Sequence, residues 1–128
     1  MRYIFTILLL LSLKSAFSFD VIDDVAAAVK SGDAKNVAKF FSTTVELSVN
    51  DQEDIYSAAQ ATFILKDFFA KHAPIGTKIV HKVVSNPNYK FGVILLTTSD
   101  AKYRISFDLK MNASKFILTQ MRIEENKE

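Results

Sequence analysis

SAAQATFILKDFFAKH, Ser57 to His72, is the one stretch that sequence rules predict as a helix at both ends and along its face. Ser57 followed at the third position by Gln60 is a capping-box pattern, in which the hydroxyl accepts an orphan N–H of the first turn and the Gln side chain reaches back. Ala61, Ile64, Leu65, Phe68 and His72 recur at spacings of three and four, so they form one stripe, with Gln60, Asp67 and Lys71 off it. Phe63 and Phe69 widen the stripe beyond what a helix on an open surface carries. Pro74 disfavours helical geometry at Ala73 and ends the element. A helix this apolar needs a broad surface to lie on.

Working outward toward the N-terminus, Tyr56 is placed to pack on the first turn and set the entry angle. Val45 to Val49, VELSV, alternates as a half-buried strand does, and Asp54 to Tyr56 is expected to pair with it across Asn50 to Glu53. Further upstream, Phe19 to Lys30 reads as a helix, with Val21, Ile22, Val25, Ala26 and Val29 on one stripe and Asp20, Asp23 and Asp24 near its positive end. Gly32 is placed to cap it in a left-handed conformation. Asp33 then caps a shorter helix, Ala34 to Phe41, whose Val37, Ala38, Phe40 and Phe41 supply apolar contacts.

Downstream, from Gly76, the period changes to two. Lys78 to Ser85 is a strand with Ile79, His81 and Val83 on one face and Val80, Lys82 and Val84 on the other. Asn86, Pro87 and Asn88 turn the chain. Phe91 to Thr98 is apolar on both faces, the mark of an inner strand covered twice or lying in an oligomer contact. After a turn at Ser99 to Ala101, Tyr103, Ile105, Phe107, Leu109 and Met111 alternate with Arg104, Ser106, Asp108 and Lys110; Asn112 to Ser114 turns again, and Phe116 to Ile123 is the last strand. Four consecutive strands with short connections describe an antiparallel meander that strong twist lets curl around a covering helix. The fold class expected is α+β, with N-terminal helices packed in a strongly curved antiparallel sheet. No internal repeat, linker or low-complexity tract interrupts it.

Met1 to Ser18 has the parts of a secretory signal: Arg2, the apolar run Ile4 to Leu11, and small residues at Ala16 and Ser18. Cleavage after Ser18 is expected, leaving residues 19–128 as a single domain. The apolar run is short of the roughly 20 residues of a spanning helix and Lys14 interrupts it, so no stable membrane insertion is expected once the signal is removed. With no cysteine, an exported chain is built without disulfides, as is ordinary in a bacterial periplasm or on a bacterial cell surface. The signal carries Arg2 and Lys14 away, so the remainder is formally neutral, which argues against nucleic acid as a partner. Its charge is divided: Phe19 to Asp67 holds nine acids and four bases, and Phe68 to Glu128 five acids and ten bases. Acidic helices facing a basic sheet within one molecule, or head-to-tail assembly, both accommodate that.

The order helix, helix, hairpin, helix, long strands is joined by several phrases: GDAKNVAKFF from Gly32, VELSV from Val45, YSAAQATFILKDFF from Tyr56 and the closing MRIEE from Met121. Together they resemble the nuclear transport factor 2-like superfamily, and within it a small bacterial secreted family called domain of unknown function 4783, over about Val21 to Glu124. The resemblance implies a cone-shaped domain with a cystatin-like outline, in which the sheet wraps the long helix and leaves a pocket at its open end. Relatives in that superfamily include isomerases, dehydratases, ligand-binding subunits and dimerisation modules, so fold analogy alone assigns no activity.

Those relatives resembling ketosteroid isomerase use an Asp base and a Tyr oxyanion donor, which turns attention to Tyr56, His81, Tyr103 and Asp108. Asp108 alternates to the face opposite Tyr103 and reads as a solvated strand carboxylate. His81 shares the predicted face of Ile79 and can do acid or base work near neutral pH, although a structural histidine is the commoner outcome. Tyr103 and Tyr56 more often serve as packing aromatics with a wet hydroxyl. His72 closes a helix, where its charge suits the C-terminal dipole. Two isolated histidines without cysteine give no metal-ligand spacing, and three glycines, Gly32, Gly76 and Gly92, build no phosphate loop, so no cofactor is expected. Asn112-Ala113-Ser114 matches a glycosylation pattern and is read as a turn. Lys78, Lys82, Lys102, Arg104 and Lys110 are expected on an exposed sheet face.

Two functions follow. The first is a non-enzymatic exported module that binds a small apolar ligand or a protein partner, with a homodimer through the sheet suggested by Phe91 to Leu96. The second is an isomerase-like or dehydratase-like enzyme using His81 with Tyr103 or Tyr56. A cystatin-type inhibitor shares the outline but lacks the Gln-x-Val-x-Gly loop.

Overall fold

Each helix begins where a side chain replaces a missing backbone partner. In the computed structural model, which describes residues 20–127, α1 (Val21–Ser31) is opened by a capping box in which Asp20 and Asp23 exchange bonds, and Gly32 closes it at φ 70°. The expected signal, Met1 to Ser18, lies outside the described residues. Asp33 accepts the Lys35 N–H and starts α2, which runs only Ala34–Ala38. The expected continuation to Phe41 fails because Phe41 enters β1 and pairs with Leu118. The long helix α3 (Ala58–Lys71) has the expected capping box between Ser57 and Gln60.

The strands are β1 (Phe41–Val49), β2 (Gln52–Ser57), β3 (Pro74–Asn86), β4 (Tyr89–Thr98), β5 (Lys102–Asn112) and β6 (Lys115–Glu125). The β3–β6 meander is present, but the sheet has six strands in the order β2-β1-β6-β5-β4-β3, and β1 runs parallel to β6. The sheet is therefore mixed rather than purely antiparallel. The β1–β2 hairpin turns through Asn50 and Asp51, both at positive φ, a two-residue loop whose twist matches that of the strands.

Both long helices cover one face of the sheet. α1 packs on β3 and β4, and α3 packs on β1, β2 and α2, so α3 lies toward the hairpin end rather than over the middle of the meander. Beneath them Ile22, Val25, Val29, Leu65, Phe68 and Phe69 meet Leu47, Ile94, Leu96, Ile105, Phe107 and Ile123 in one apolar core.

One irregularity decides which β3 residues reach that core. Ile79 pairs with Ile94 and His81 pairs with Val93, so two steps on β3 oppose one on β4 and Val80 is the extra residue of a β-bulge. Simple alternation puts Ile79 and His81 on one face, but the bulge separates them. Ile79 faces the core, while His81 and Val83 face away from the helices. The same bulge brings Lys82 to the helix side, where it meets Asp20 at 3.2 Å and Asp23 at 3.0 Å rather than joining a basic outer patch. Burial alone would raise the Asp20 carboxyl, but the bond from the Asp23 N–H, and after it the Lys82 ammonium, hold it below its ordinary value.

Candidate functional site

The first half of α3 stands beside the hairpin without covering it. Ala61 and Leu65 are buried against the sheet, and Ile64, one residue before Leu65, is half-buried. Phe63, expected in the buried stripe, is 73% exposed. Phe69 does join the core as expected. Between α3 and the hairpin lies a groove of about 280 Å³ lined by Leu47, Val49, Gln52, Tyr56, Phe63, Ile64 and Asp67. It shares Tyr56, Phe63 and Ile64 with an adjoining depression of about 400 Å³ that extends along Ala59 and Gln60. On its other side Phe63 borders a third depression, toward Gly32, Asp33 and Lys35. One aromatic ring is thus the shared wall of three concavities.

Of the tyrosines singled out from sequence, Tyr56 lies in this groove. Its ring is half-buried at the end of β2, and β1 contributes Leu47 and Val49 from the same face. The polar members, Gln52 and Asp67, stand at the rim. Asp67 is exposed and bonded to Lys71 at 3.0 Å. The arrangement offers an apolar floor, an aromatic wall and a polar margin, which suits retention of an apolar group and provides no convergent acid and base.

Tyr103 is placed elsewhere, at the C-terminal end of α3. It is 2% exposed, its ring meets Phe68 edge-on at 5.0 Å, and its hydroxyl lies 3.1 Å from Nδ1 of His72. The same nitrogen is 2.9 Å from Asp100 Oδ2, and Asp100 Oδ1 accepts the Thr98 hydroxyl at 2.8 Å. The bond from His72, with that from Thr98, holds the Asp100 carboxyl below its ordinary value. Burial, reinforced by the charges of Asp100 and Glu125, raises the Tyr103 hydroxyl. The helix end is thereby pinned to the β4–β5 turn. The sequence held a hint of this in Thr98-Ser99-Asp100, where a hydroxyl and a carboxylate flank a turn, but the pairing with His72 spans 28 residues and has no local signature.

His81 is exposed on the outer face of β3 and has no side-chain hydrogen bond among the described residues; the structure brings neither Tyr103 nor Tyr56 to it. Asp108 is half-buried on the outer face, where it accepts the Tyr89 hydroxyl at 2.8 Å, and burial together with that carboxylate raises the Tyr89 hydroxyl. Among the described residues no group of three or more His, Cys, Asp or Glu side chains is placed to hold a metal ion.

The family model described as "domain of unknown function (DUF4783)" matches residues 22–124, from the first buried residue of α1 to the penultimate residue of β6. The chain belongs to the DUF4783 family. Its structure is similar to that of a DUF4783 protein from Bacteroides uniformis, with a TM-score of 0.80 at 20% identity over 85% of this chain and 100% of that one. A DUF4783 protein from Bacteroides ovatus matches with a TM-score of 0.78 at 23% identity, over 82% of this chain and 94% of that one. An NTF2-like protein of unknown function from Shewanella baltica matches with a TM-score of 0.66 at 12% identity, over 84% and 90% of the two chains. No curated protein matches the chain. At these identities the likeness establishes the NTF2-like α+β fold of this DUF4783 domain and leaves its role to be argued from its own side chains.

Proposed function

We propose that this DUF4783 chain is a non-enzymatic binding module that takes a small apolar molecule, or an apolar segment of a protein partner, in the groove between the β1–β2 hairpin and α3. The observation that carries this is Phe63, a large aromatic left 73% exposed as the common wall of adjoining concavities, with the half-buried Ile64 and Tyr56 beside it. Titration of the folded protein with Nile red tests it. Saturable fluorescence enhancement that is lost in Phe63→Ser, with an unchanged melting temperature, is the expected result. Enhancement indifferent to that substitution removes the groove from the reading.

The enzyme alternative requires a His/Tyr pair facing a cavity. The pair that the fold joins is His72 with Tyr103, not His81 with a tyrosine, and it sits at the opposite end of α3 from Tyr56 and Phe63, tied to Asp100. Its geometry favours a fastening over a catalytic role.

Three further elements belong to the proposal. The sheet is taken to curl as a cone, supported by register shifts within β3–β4, β5–β6 and β1–β6, since bulges bend the strands that carry them. The protein is taken to be exported to a bacterial periplasm or surface after cleavage at Ser18, which the intact mass of the protein recovered from its native cell tests directly. A homodimer is taken to form through the helix-free face of the sheet, where Phe91 and Leu95 flank Val93; light scattering that gives a monomer at high micromolar concentration removes it.

A further inference from the structure

The two edges of the sheet are built differently. β3, at one edge, carries Pro74, Lys78, Lys82 and three breaks of register against β4. Prolines, lysines and bulges are the devices by which proteins keep an open edge from accepting another strand. β2, at the other edge, has none of them. It pairs with β1 in unbroken register from Gln52 to Ser57 and contains neither lysine nor proline.

The unguarded edge is also the one beside the groove. In β2, Tyr56 faces α3 and lines the groove, whereas Ile55 faces the opposite side of the sheet and is 68% exposed. The Ile55 N–H donates to Oδ1 of the exposed Asp54 at 2.8 Å, so this backbone donor is occupied by a neighbouring side chain that an incoming carbonyl can displace. Acids outnumber bases around the edge: Asp51, Glu53 and Asp54 lie on the hairpin and Asp67, bridged to Lys71, at the groove rim. Glu53 is bridged to Arg122, but Asp51 and Asp54 have no ion pair among the described residues.

We propose that β2 is a docking edge for an extended peptide segment with a net positive charge. The segment adds as a seventh strand; every second side chain is apolar and enters the groove beside Tyr56, Phe63 and Ile64, and the basic side chains, on the Ile55 face, meet Glu53 and, at the turn, Asp51. Backbone bonds supply the attachment and the alternate-residue groove supplies selection. Pairing of β2 with β2 of a second copy is disfavoured, because it gathers Glu53 and Asp54 of both copies along one seam. This inference rests on the groove reading above and goes beyond it in naming the ligand class.

The test uses a capped, fluorescein-labelled peptide of about six residues, the usual length of a strand, alternating valine and lysine. Anisotropy reports binding, and amide exchange in the full domain reports on Ile55. Saturable binding is expected, together with about ten-fold slower exchange at Ile55 and affinity at least about ten-fold weaker for a valine–glutamate peptide, which corresponds to about 1.4 kcal/mol. N-methylation of alternate residues should abolish binding, as should Ile55→Pro, whose folding is checked by its melting curve; the N-methylated peptide needs no variant to fold. Equal binding of the N-methylated peptide, or no binding of the valine–lysine peptide to a protein that still takes up Nile red at Phe63, overturns strand addition and leaves the groove reading intact. Ile55 protection that rises with protein concentration alone shows a second copy at the edge and also overturns it.

Discussion

Gly92 is where the fold leaves least room, and adding a single methyl group there tests the packing argument. The residue lies on the helix side of β4, opposite Phe107 of β5 and beneath Ile22 of α1. A Cβ at Gly92 would stand 2.7 Å from Cζ of Phe107, 3.0 Å from its Cε2 and 3.1 Å from Cγ2 of Ile22. Carbon atoms in contact prefer about 3.5–4.0 Å, so the methyl group of alanine intrudes by roughly half to one ångström on two side chains at once. Neither can retreat into solvent, since Phe107 is 1% exposed and Ile22 0%. Overpacking of this kind costs about 1–3 kcal/mol, against which alanine recovers about 0.5–1 kcal/mol of the conformational cost of a strand glycine. Gly92→Ala is therefore expected to destabilise by about 1–2 kcal/mol and to lower the melting temperature by about 4–10 °C in a domain of this size. Urea unfolding should show a lower midpoint with an unchanged slope. Phe107→Leu removes the ring edge that the methyl group meets, so in that background the penalty for Gly92→Ala should shrink by about 1 kcal/mol, a coupling read from a double-mutant cycle. A Gly92→Ala protein as stable as the parent, or the same penalty with leucine at 107, refutes the claim that α1 approaches β4 closely because this residue has no side chain.

Other substitutions separate neighbouring claims. Phe63→Ser should change stability by no more than about 0.5 kcal/mol in thermal denaturation while abolishing Nile red uptake, because the ring is exposed before anything binds it. Ala113 and Ser114 both stand at positive φ, 49° and 68°, in the two-residue β5–β6 turn, so Ala113→Asn with Ser114→Gly should raise stability by about 1 kcal/mol, measured by urea unfolding. Ser48 is buried with a hydroxyl that has no hydrogen-bond partner among the described residues, and Ser48→Ala should be neutral or slightly stabilising by the same measurement. Asp100 is held below its ordinary carboxyl value of 3.8 by His72 and then Thr98, so its contribution is complete above that value and is lost as pH falls through the lower folded value. Its side-chain carbon should titrate below 3.8 by NMR, and Asp100→Asn should flatten the acid limb of the stability curve; titration at or above 3.8 breaks the link to His72.

What the sequence discloses and what it conceals divide along the range of the forces involved. The caps at Gly32, Asp33 and Ser57 were legible because each is settled within a few residues, by a left-handed glycine or by a side chain reaching its own backbone, whereas Asp20, read as a first-turn acid, is the N-cap of α1. The alternation from Tyr103 to Met111 was legible because β5 is central and carries both a buried and an opposite face along most of its length. The parallel contact of β1 with β6 was not, since it joins segments more than 70 residues apart without a local mark. Nor was the face of His81, because the extra residue Val80 shifts the phase of everything after it, and no residue type in KIVHKVV announces a bulge.

Phe63 and Phe69 show the same limit at the groove. Both are aromatic residues off the apolar stripe of α3, Phe69 at its margin and Phe63 about 100° beyond Ile64 toward Gln60 and Asp67, and composition alone gives no reason to separate them. The distinction is made by what lies alongside: Phe69 joins the core, whereas Phe63 faces a hairpin whose last paired residue is Ser57, where the chain turns into the helix. β2 must stop there because Ser57 is both its end and the N-cap of α3, which leaves the hairpin too short to cover the first turns of the helix it introduces. The groove is thus a consequence of one residue serving two elements. Lengthening the hairpin to close it would detach the cap, so a chain with this connection keeps an aromatic wall open beside an unguarded strand, the juxtaposition on which both proposed binding modes depend.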